Sequence, residues 1–190
     1  GQPAVLAFLP DGHFLLGDGY HNGRIVKYTT DGEYVSEFGS VGSGPGQFDL
    51  VHGIAVDKNS RIYVSDRMNH RVQVFTEDGE YIEEWPDIYD PVAIFIDESD
   101  AVWVLDATLN RMLKYSLAGE LLDYWGAYAE VSSLGRSGWP GGMSLPHQMD
   151  MDEDGNLYIA EFGGPWLDKF VPKSGADPTR LIGKRQLGTN

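Results

Sequence analysis

Four segments of the chain share one order of features: a strand, an acidic residue, a short loop and a second strand that ends in an aromatic residue. The acidic positions are Asp18, Asp66, Asp106 and Glu161, and the closing aromatic positions are Tyr28, Phe75, Tyr115 and Phe170. Apolar side chains alternate along these strands, so each copy can bury one face against the neighbouring copy. A chain built this way is a stack of similar sheets.

Each copy is longer than this shared segment. A shorter strand opened by a proline or valine precedes it, and a turn with a fourth strand, clearest in YVSEF, YIEEW and LLDYW, follows it. Four strands joined by turns form an antiparallel meander, the blade of a β-propeller. We therefore predict an all-β fold, a single propeller domain over residues 1–190, with four-stranded blades at about 1–40, 49–86, 88–126 and 145–187.

Two insertions interrupt the spacing of the repeats. Residues 39–46 separate the first two copies, and residues 127–144 separate the last two. Their glycine and serine content predicts loops on one rim of the propeller, either lids over a central channel or plain surface insertions.

The charge and the absence of cysteine exclude several classes of partner and site. The formal net charge is −15, which disfavours nucleic acid and anionic membranes as partners. The sequence shows no bilayer-spanning apolar run and no signal segment. With no cysteine, a metal site would have to use histidine and carboxylate ligands.

Two histidines occupy the same place in different copies. His52 and His147 each lie at the start of a first strand, where the other copies have Ala4 and Val92. First strands line the axis of a propeller, so equivalent positions on alternate blades face one another across it. Two imidazoles there, joined by a third from the next alternate blade, would make a metal site. Each histidine could instead be an ordinary hydrogen-bonded polar residue.

Tyr20 and Arg67 follow the equivalent acidic residues of adjacent copies, so both belong on the rim that carries the histidines. An arginine beside a phenol favours phenolate and so could make the tyrosine a general base. The arginine could alternatively bind a substrate carboxylate. Packing and capping at a wet rim is the simpler reading of both residues.

The segments DGYHNGRIV, VHGIAVD, VSDRMNHRVQVF and LPHQMDMDEDGNLYIAEF make the chain resemble NHL-repeat propellers and, among them, peptidyl-α-hydroxyglycine α-amidating lyase. The resemblance implies a six-bladed ring, of which two blades are missing here. We expect the chain to be a fragment that lacks one or more upstream blades; a shorter ring, or a ring completed by a partner chain, are the alternatives. It also implies a carbon–nitrogen lyase that releases glyoxylate from a peptide or small-molecule α-hydroxyglycine.

The same resemblance implies the roles of individual residues. His52 and His147 would be zinc ligands, with a third histidine in a missing blade, Tyr20 the base and Arg67 its electrostatic partner. Gln148 stands where the family has an aspartate that helps to hold calcium, so calcium is not expected. The resemblance favours a secreted or periplasmic protein, and it leaves the oligomeric state open.

The alternative to an enzyme is an NHL propeller that binds a protein, peptide or carbohydrate at its rim. That function would not need His52 and His147 to converge. A calcium-dependent lactonase-like hydrolase is disfavoured, because the predicted axial positions hold alanine, valine and histidine and lack a ring of acidic or amide side chains.

Overall fold

A computed structural model describes residues 2–128, 131–132, 135–136, 142–164, 166–184 and 186 of the chain. Its main elements are four antiparallel sheets that follow one another along the sequence. The innermost strand of each sheet contacts the innermost strand of the next, as in a β-propeller. The predicted all-β propeller with four blades is therefore confirmed.

The strands keep the order that the repeat predicts. Blade 1 contains β1 (Val5–Phe8), β2 (Phe14–Asp18), β3 (Arg24–Tyr28) and β4 (Tyr34–Phe38), and a short pair, β5 (Ser40–Val41) and β6 (Gln47–Phe48), follows it. Blade 2 contains β7 (Val51–Val56), β8 (Ile62–Asp66), β9 (Arg71–Phe75) and β10 (Tyr81–Trp85). Blade 3 contains β11 (Pro91–Ile96), β12 (Val102–Asp106), β13 (Arg111–Tyr115) and β14 (Leu121–Trp125). The second insertion carries β15 (Ala127–Tyr128), β16 (Val131–Ser132), β17 (Gly135–Arg136) and β18 (Gly142–Met143), and blade 4 contains β19 (Pro146–Met151), β20 (Leu157–Glu161) and β21 (Leu167–Phe170).

The hydrophobic core consists of three apolar clusters, one between each pair of successive blades. Phe75 closes the cluster between blades 1 and 2, Trp85 that between blades 2 and 3, and Trp103 that between blades 3 and 4. Because both faces of blades 2 and 3 are covered, their three inner strands are buried along nearly their whole length, whereas the outer strands β10 and β14 are mostly exposed. This stacking holds the four inner strands in fixed positions around the axis.

The first insertion is fixed to the side of blade 2. The Arg71 guanidinium donates from Nη2 to the carbonyl oxygens of Gly44 and Gln47, at 3.0 and 2.9 Å. The Gly46 N–H in turn donates to the Gln73 side chain at 2.9 Å. The second insertion, which the sequence also suggests as a lid, lies partly outside the described residues.

The fourth repeat differs from the predicted four-stranded unit, because its sheet has three strands within the described part of the chain. After β21 the chain passes through a 3₁₀ turn at Pro178–Arg180 and crosses to blade 3. There Glu98 N–H donates to the Lys184 carbonyl at 2.7 Å, and the buried Asp97 carboxylate accepts the Gly183 N–H at 3.0 Å. A buried carboxylate needs such partners, so this contact competes with a fourth strand. The predicted end of the blade, residue 187, lies outside the described residues.

No helix among the described residues has the length and apolar character needed to cross a membrane.

Candidate functional site

His52 is the second residue of β7 and is almost completely buried, with 1% of its surface exposed. Its Nδ1 lies 2.6 Å from the carbonyl oxygen of Val92, the residue at the equivalent position of blade 3. Because a carbonyl oxygen can only accept, the proton of the neutral ring is on Nδ1. Nε2 is therefore the unprotonated nitrogen, the arrangement that a metal-ligating histidine requires.

His147 is the second residue of β19, on the next alternate blade, and is half-buried. Its ring centroid lies 4.8 Å from that of His52, and the two rings are nearly perpendicular. The structure thus brings together the two histidines that the repeat alignment placed at one position. Blade 3, which lies between them, contributes the Val92 carbonyl that orients His52.

Tyr20 joins this pair from the turn after β2. Its hydroxyl lies 3.3 Å from His52 Nε2, and its ring meets the imidazole edge-on at a centroid distance of 6.0 Å. Since Nε2 is the unprotonated nitrogen, the phenol donates this hydrogen bond. The preceding Gly19 packs directly on Val51, where a Cβ atom would lie 1.9 Å from the carbonyl oxygen. A glycine is therefore needed to bring the tyrosine loop this close to β7.

Arg67 begins the 3₁₀ turn Arg67–Asn69 after β8, and its guanidinium pairs with Asp90. Nε lies 2.6 Å from Asp90 Oδ1, and Nη2 lies 3.4 Å from Oδ2. Thr108 donates its hydroxyl to the same Oδ2 at 2.9 Å. The contacts of this guanidinium are thus to an aspartate, a partner that the sequence argument did not identify.

Asp90 is a site residue that the sequence reasoning missed. It directly precedes β11, at a position where blades 2 and 4 carry Leu50 and Leu145. It is 9% exposed, and its own N–H donates to Asp106 at 3.0 Å. The alignment of the repeats does contain a signal for this residue, because it shows an acidic side chain in one repeat where two other repeats have leucine.

Burial and the Arg67–Asp90 ion pair shift the pKa values of both histidines. Burial lowers the pKa of His52 below its ordinary value, and the neighbouring His147 and Arg67 lower it further. The hydrogen bond to the Val92 carbonyl and the negative charge of Asp90 oppose this lowering. Burial and Arg67 likewise lower the pKa of His147, while Asp90 opposes them. The lowered pKa values favour the neutral form of both rings, the state in which imidazole binds a metal ion.

The recurring acidic residues have a structural role within the blades. Three of them accept the backbone N–H of a residue shortly before the first strand of their own blade, at 2.8–3.0 Å; the pairs are Asp66 with Asp49, Asp106 with Asp90, and Glu161 with Ser144. Asp18 instead accepts from the Asn22 and Arg24 side chains. These carboxylates connect strands within a blade and fix the start of each inner strand, which in blades 2 and 4 carries the histidine.

The pair fits a transition metal in its donor type and protonation state, since His52 presents an unprotonated Nε2 and burial favours the neutral form of both rings. Within the described segments, His52 and His147 belong to no cluster of three or more histidine or carboxylate side chains. The chain's described residues thus provide two nitrogen ligands of the three or four that a zinc site uses.

Comparison with known proteins finds NHL-repeat proteins and proteins named for peptide amidation. The NHL-repeat family model matches residues 48–75, which span β7 to β9 of blade 2 and include His52 and Arg67. Human NHL repeat-containing protein 3 is 28% identical over 174 residues, covering 89% of this chain and 49% of the human protein. The chain therefore spans about half the length of that relative.

Two further relatives carry names from peptide amidation. The rat protein named peptidylglycine alpha-amidating monooxygenase is 27% identical over 187 residues, covering 90% of this chain and 18% of the rat protein. A Caenorhabditis elegans protein named "Probable peptidyl-alpha-hydroxyglycine alpha-amidating lyase" is 31% identical over 78 residues, 40% of this chain and 22% of its own length. The predicted resemblance to amidating enzymes is consistent with both matches.

Proposed function

We propose that this NHL-repeat β-propeller is a zinc-dependent carbon–nitrogen lyase that splits an N-acyl-α-hydroxyglycine into an amide and glyoxylate. One observation carries the proposal: the Tyr20 hydroxyl lies 3.3 Å from Nε2 of His52, whose ring is 4.8 Å from that of His147. A potential base and two potential metal ligands thus lie close together. The distant similarity to amidating enzymes supports the same reaction.

His52 and His147 would hold the zinc ion, with a third ligand from another blade of the complete propeller. Bound zinc would supply a Lewis acid that polarises a substrate oxygen. The Val92 carbonyl keeps the proton of His52 on Nδ1 and so leaves Nε2 available. Arg67, oriented by Asp90, adds positive charge beside the histidines, which keeps them neutral and favours a substrate carboxylate.

Tyr20 would take the proton in the reaction. As phenolate, it removes the proton of the substrate α-hydroxyl while the carbon–oxygen bond becomes a carbonyl. The electrons of the breaking carbon–nitrogen bond go to the amide nitrogen, which receives the proton back from the Tyr20 phenol and leaves as the amide. The products are the amide and glyoxylate, and the atoms of the substrate are conserved.

The test is glyoxylate release from N-acetyl-α-hydroxyglycine by the natural full-length protein and its Tyr20→Phe variant. Loss of a general base costs about 10²–10⁴ in rate, so the variant should lose at least about 100-fold in kcat. Phenylalanine keeps the ring beside His52, so stability and zinc content should stay at the wild-type level. Tyr34→Phe, which removes a hydroxyl from an exposed tyrosine on β4, is the matched control and should stay active. Wild-type turnover in Tyr20→Phe would remove this residue from the mechanism.

A further inference from the structure

Phe162 is an exposed aromatic side chain beside the channel histidines. It follows β20 directly and is 79% exposed, the largest exposed fraction among the large hydrophobic side chains of the described residues. Its ring centroid lies 6.0 Å from that of His147, with an interplanar angle of 36°. Exposing a phenylalanine forgoes the free energy of its burial, so the presence of one at a candidate site points to an apolar ligand.

The backbone of Phe162 is fixed although its side chain is exposed. Its N–H donates to the Leu145 carbonyl at 2.8 Å, and the next residue, Gly163, donates to Ser144 at 3.1 Å. The preceding Glu161 accepts the Ser144 N–H at 3.0 Å. These bonds join the end of β20 to the segment that leads into His147, so the ring is held at a defined place beside the imidazole.

Phe162 and Arg67 occupy equivalent positions in two copies of the repeat. Each is the residue directly after the recurring acidic position, Phe162 in blade 4 and Arg67 in blade 2. Their blades are also the two that supply His147 and His52. The rim beside the histidine pair therefore carries a cationic side chain on blade 2 and an aromatic one on blade 4.

We propose that Phe162 is an aromatic platform that binds the acyl group of the substrate, so that the protein prefers α-hydroxyglycines carrying an aromatic or large apolar acyl group. This inference rests on the proposed lyase function. Such a substrate carries a carboxylate on one side of its reacting carbon and the acyl–nitrogen group on the other. Arg67 and Phe162 occupy equivalent positions on alternate blades, so Arg67 could bind the carboxylate while Phe162 contacts the acyl group.

The first measurement compares N-benzoyl- with N-acetyl-α-hydroxyglycine as substrates, using the ratio of their kcat/KM values. An aromatic contact of this kind changes binding by about tenfold at most, so Phe162→Ala should lower the benzoyl preference by about that factor, mainly through KM. Phe162→Leu should restore part of the preference. Tyr124→Ala, which removes an exposed aromatic from the outer strand β14, should leave the ratio unchanged. An equal ratio in wild type and Phe162→Ala would overturn the platform.

The second measurement needs no turnover. N-benzoylglycine and N-acetylglycine, which lack the α-hydroxyl, are titrated into the protein while the His147 imidazole signals are followed by NMR. Tighter binding of the benzoyl compound, lost in Phe162→Ala, supports the platform even if wild type releases no glyoxylate, in which case only the lyase proposal falls. Glyoxylate release without a preference for the benzoyl compound in either measurement would overturn the proposed role of Phe162 and leave the lyase proposal intact. Absence of both binding and turnover would overturn both.

Discussion

The Arg67–Asp90 pair offers a quantitative test of the site, because it contributes both to stability and to the charge state of the histidines. The Arg67 side chain is 22% exposed and that of Asp90 is 12% exposed. Two nitrogen–oxygen contacts and the Thr108 hydroxyl satisfy the aspartate. Asp90→Asn keeps the size of the side chain and removes its charge, which leaves a mostly buried guanidinium without its counter-ion.

The magnitude follows from the degree of burial. Removing one partner of a fully buried pair costs about 3–5 kcal/mol, whereas exposed pairs contribute about 0–1 kcal/mol. This pair is mostly buried, and asparagine can still accept from Thr108, so we expect Asp90→Asn to lower the free energy of unfolding by about 2 kcal/mol. Arg67→Gln and the double variant complete a thermodynamic cycle, whose coupling energy should be about 1 kcal/mol or more.

The assay is urea denaturation of the four proteins, with Asp123→Asn as the control. Asp123 pairs with Arg180, whose side chain is 64% exposed, so this variant should change stability by less than about 0.5 kcal/mol. NMR titration adds a second measurement on the same variants. Because Arg67 lowers the pKa of both histidines and Asp90 raises it, Arg67→Gln should raise both pKa values and Asp90→Asn should lower them. Additive stability effects together with unmoved histidine titrations would refute the geometry described for this pair.

Two further predictions concern the framework of the site. Gly19→Ala should lower the free energy of unfolding by about 3 kcal/mol and displace the loop that carries Tyr20, because the new Cβ atom would lie 1.9 Å from the Val51 carbonyl oxygen. The control is Gly32→Ala, at φ +83° with open space around it, which should lower the free energy of unfolding by only about 1 kcal/mol in the same thermal or urea denaturation. Burial alone would raise the pKa of Asp97, but hydrogen bonds from Ser99, Trp103 and backbone N–H groups lower it overall. The stability that the ionised Asp97 contributes is therefore present above its unfolded-state pKa and is lost as the pH falls through its folded-state pKa. Asp97→Asn should be less stable than wild type at neutral pH and should lose less stability than wild type below about pH 4. Parallel pH profiles of stability for the two proteins would contradict this.

The sequence was sufficient to predict the blades and the convergence of the histidines. Both depend on a repeat that keeps its register, since aligned positions in successive copies become equivalent positions around one axis. His52 and His147 could therefore be placed together without any knowledge of side-chain contacts. The structural role of the recurring acidic residues agrees with the same repetition, because a residue present in every blade is expected to stabilise the blade itself.

The parts that the sequence did not predict depend on side chains that reach from one copy to another. Asp90 became a partner of Arg67 through the packing of blade 3 on blade 2, a contact that no spacing within a single repeat encodes. The C-terminal crossing to blade 3 depends on the buried Asp97 carboxylate and its need for donors. The exposure of Phe162 could not be predicted either, since the aromatic residues that close the four repeats are buried or half-buried.

The most direct test of the proposed site is the zinc content of the natural full-length protein, measured by elemental analysis beside its His147→Ala variant. The proposal predicts about one zinc ion per chain in wild type, bound through His52 and His147, and loss of most of that zinc in the folded variant. A well-folded wild-type protein without zinc, or zinc retained at the same level in His147→Ala, would contradict it.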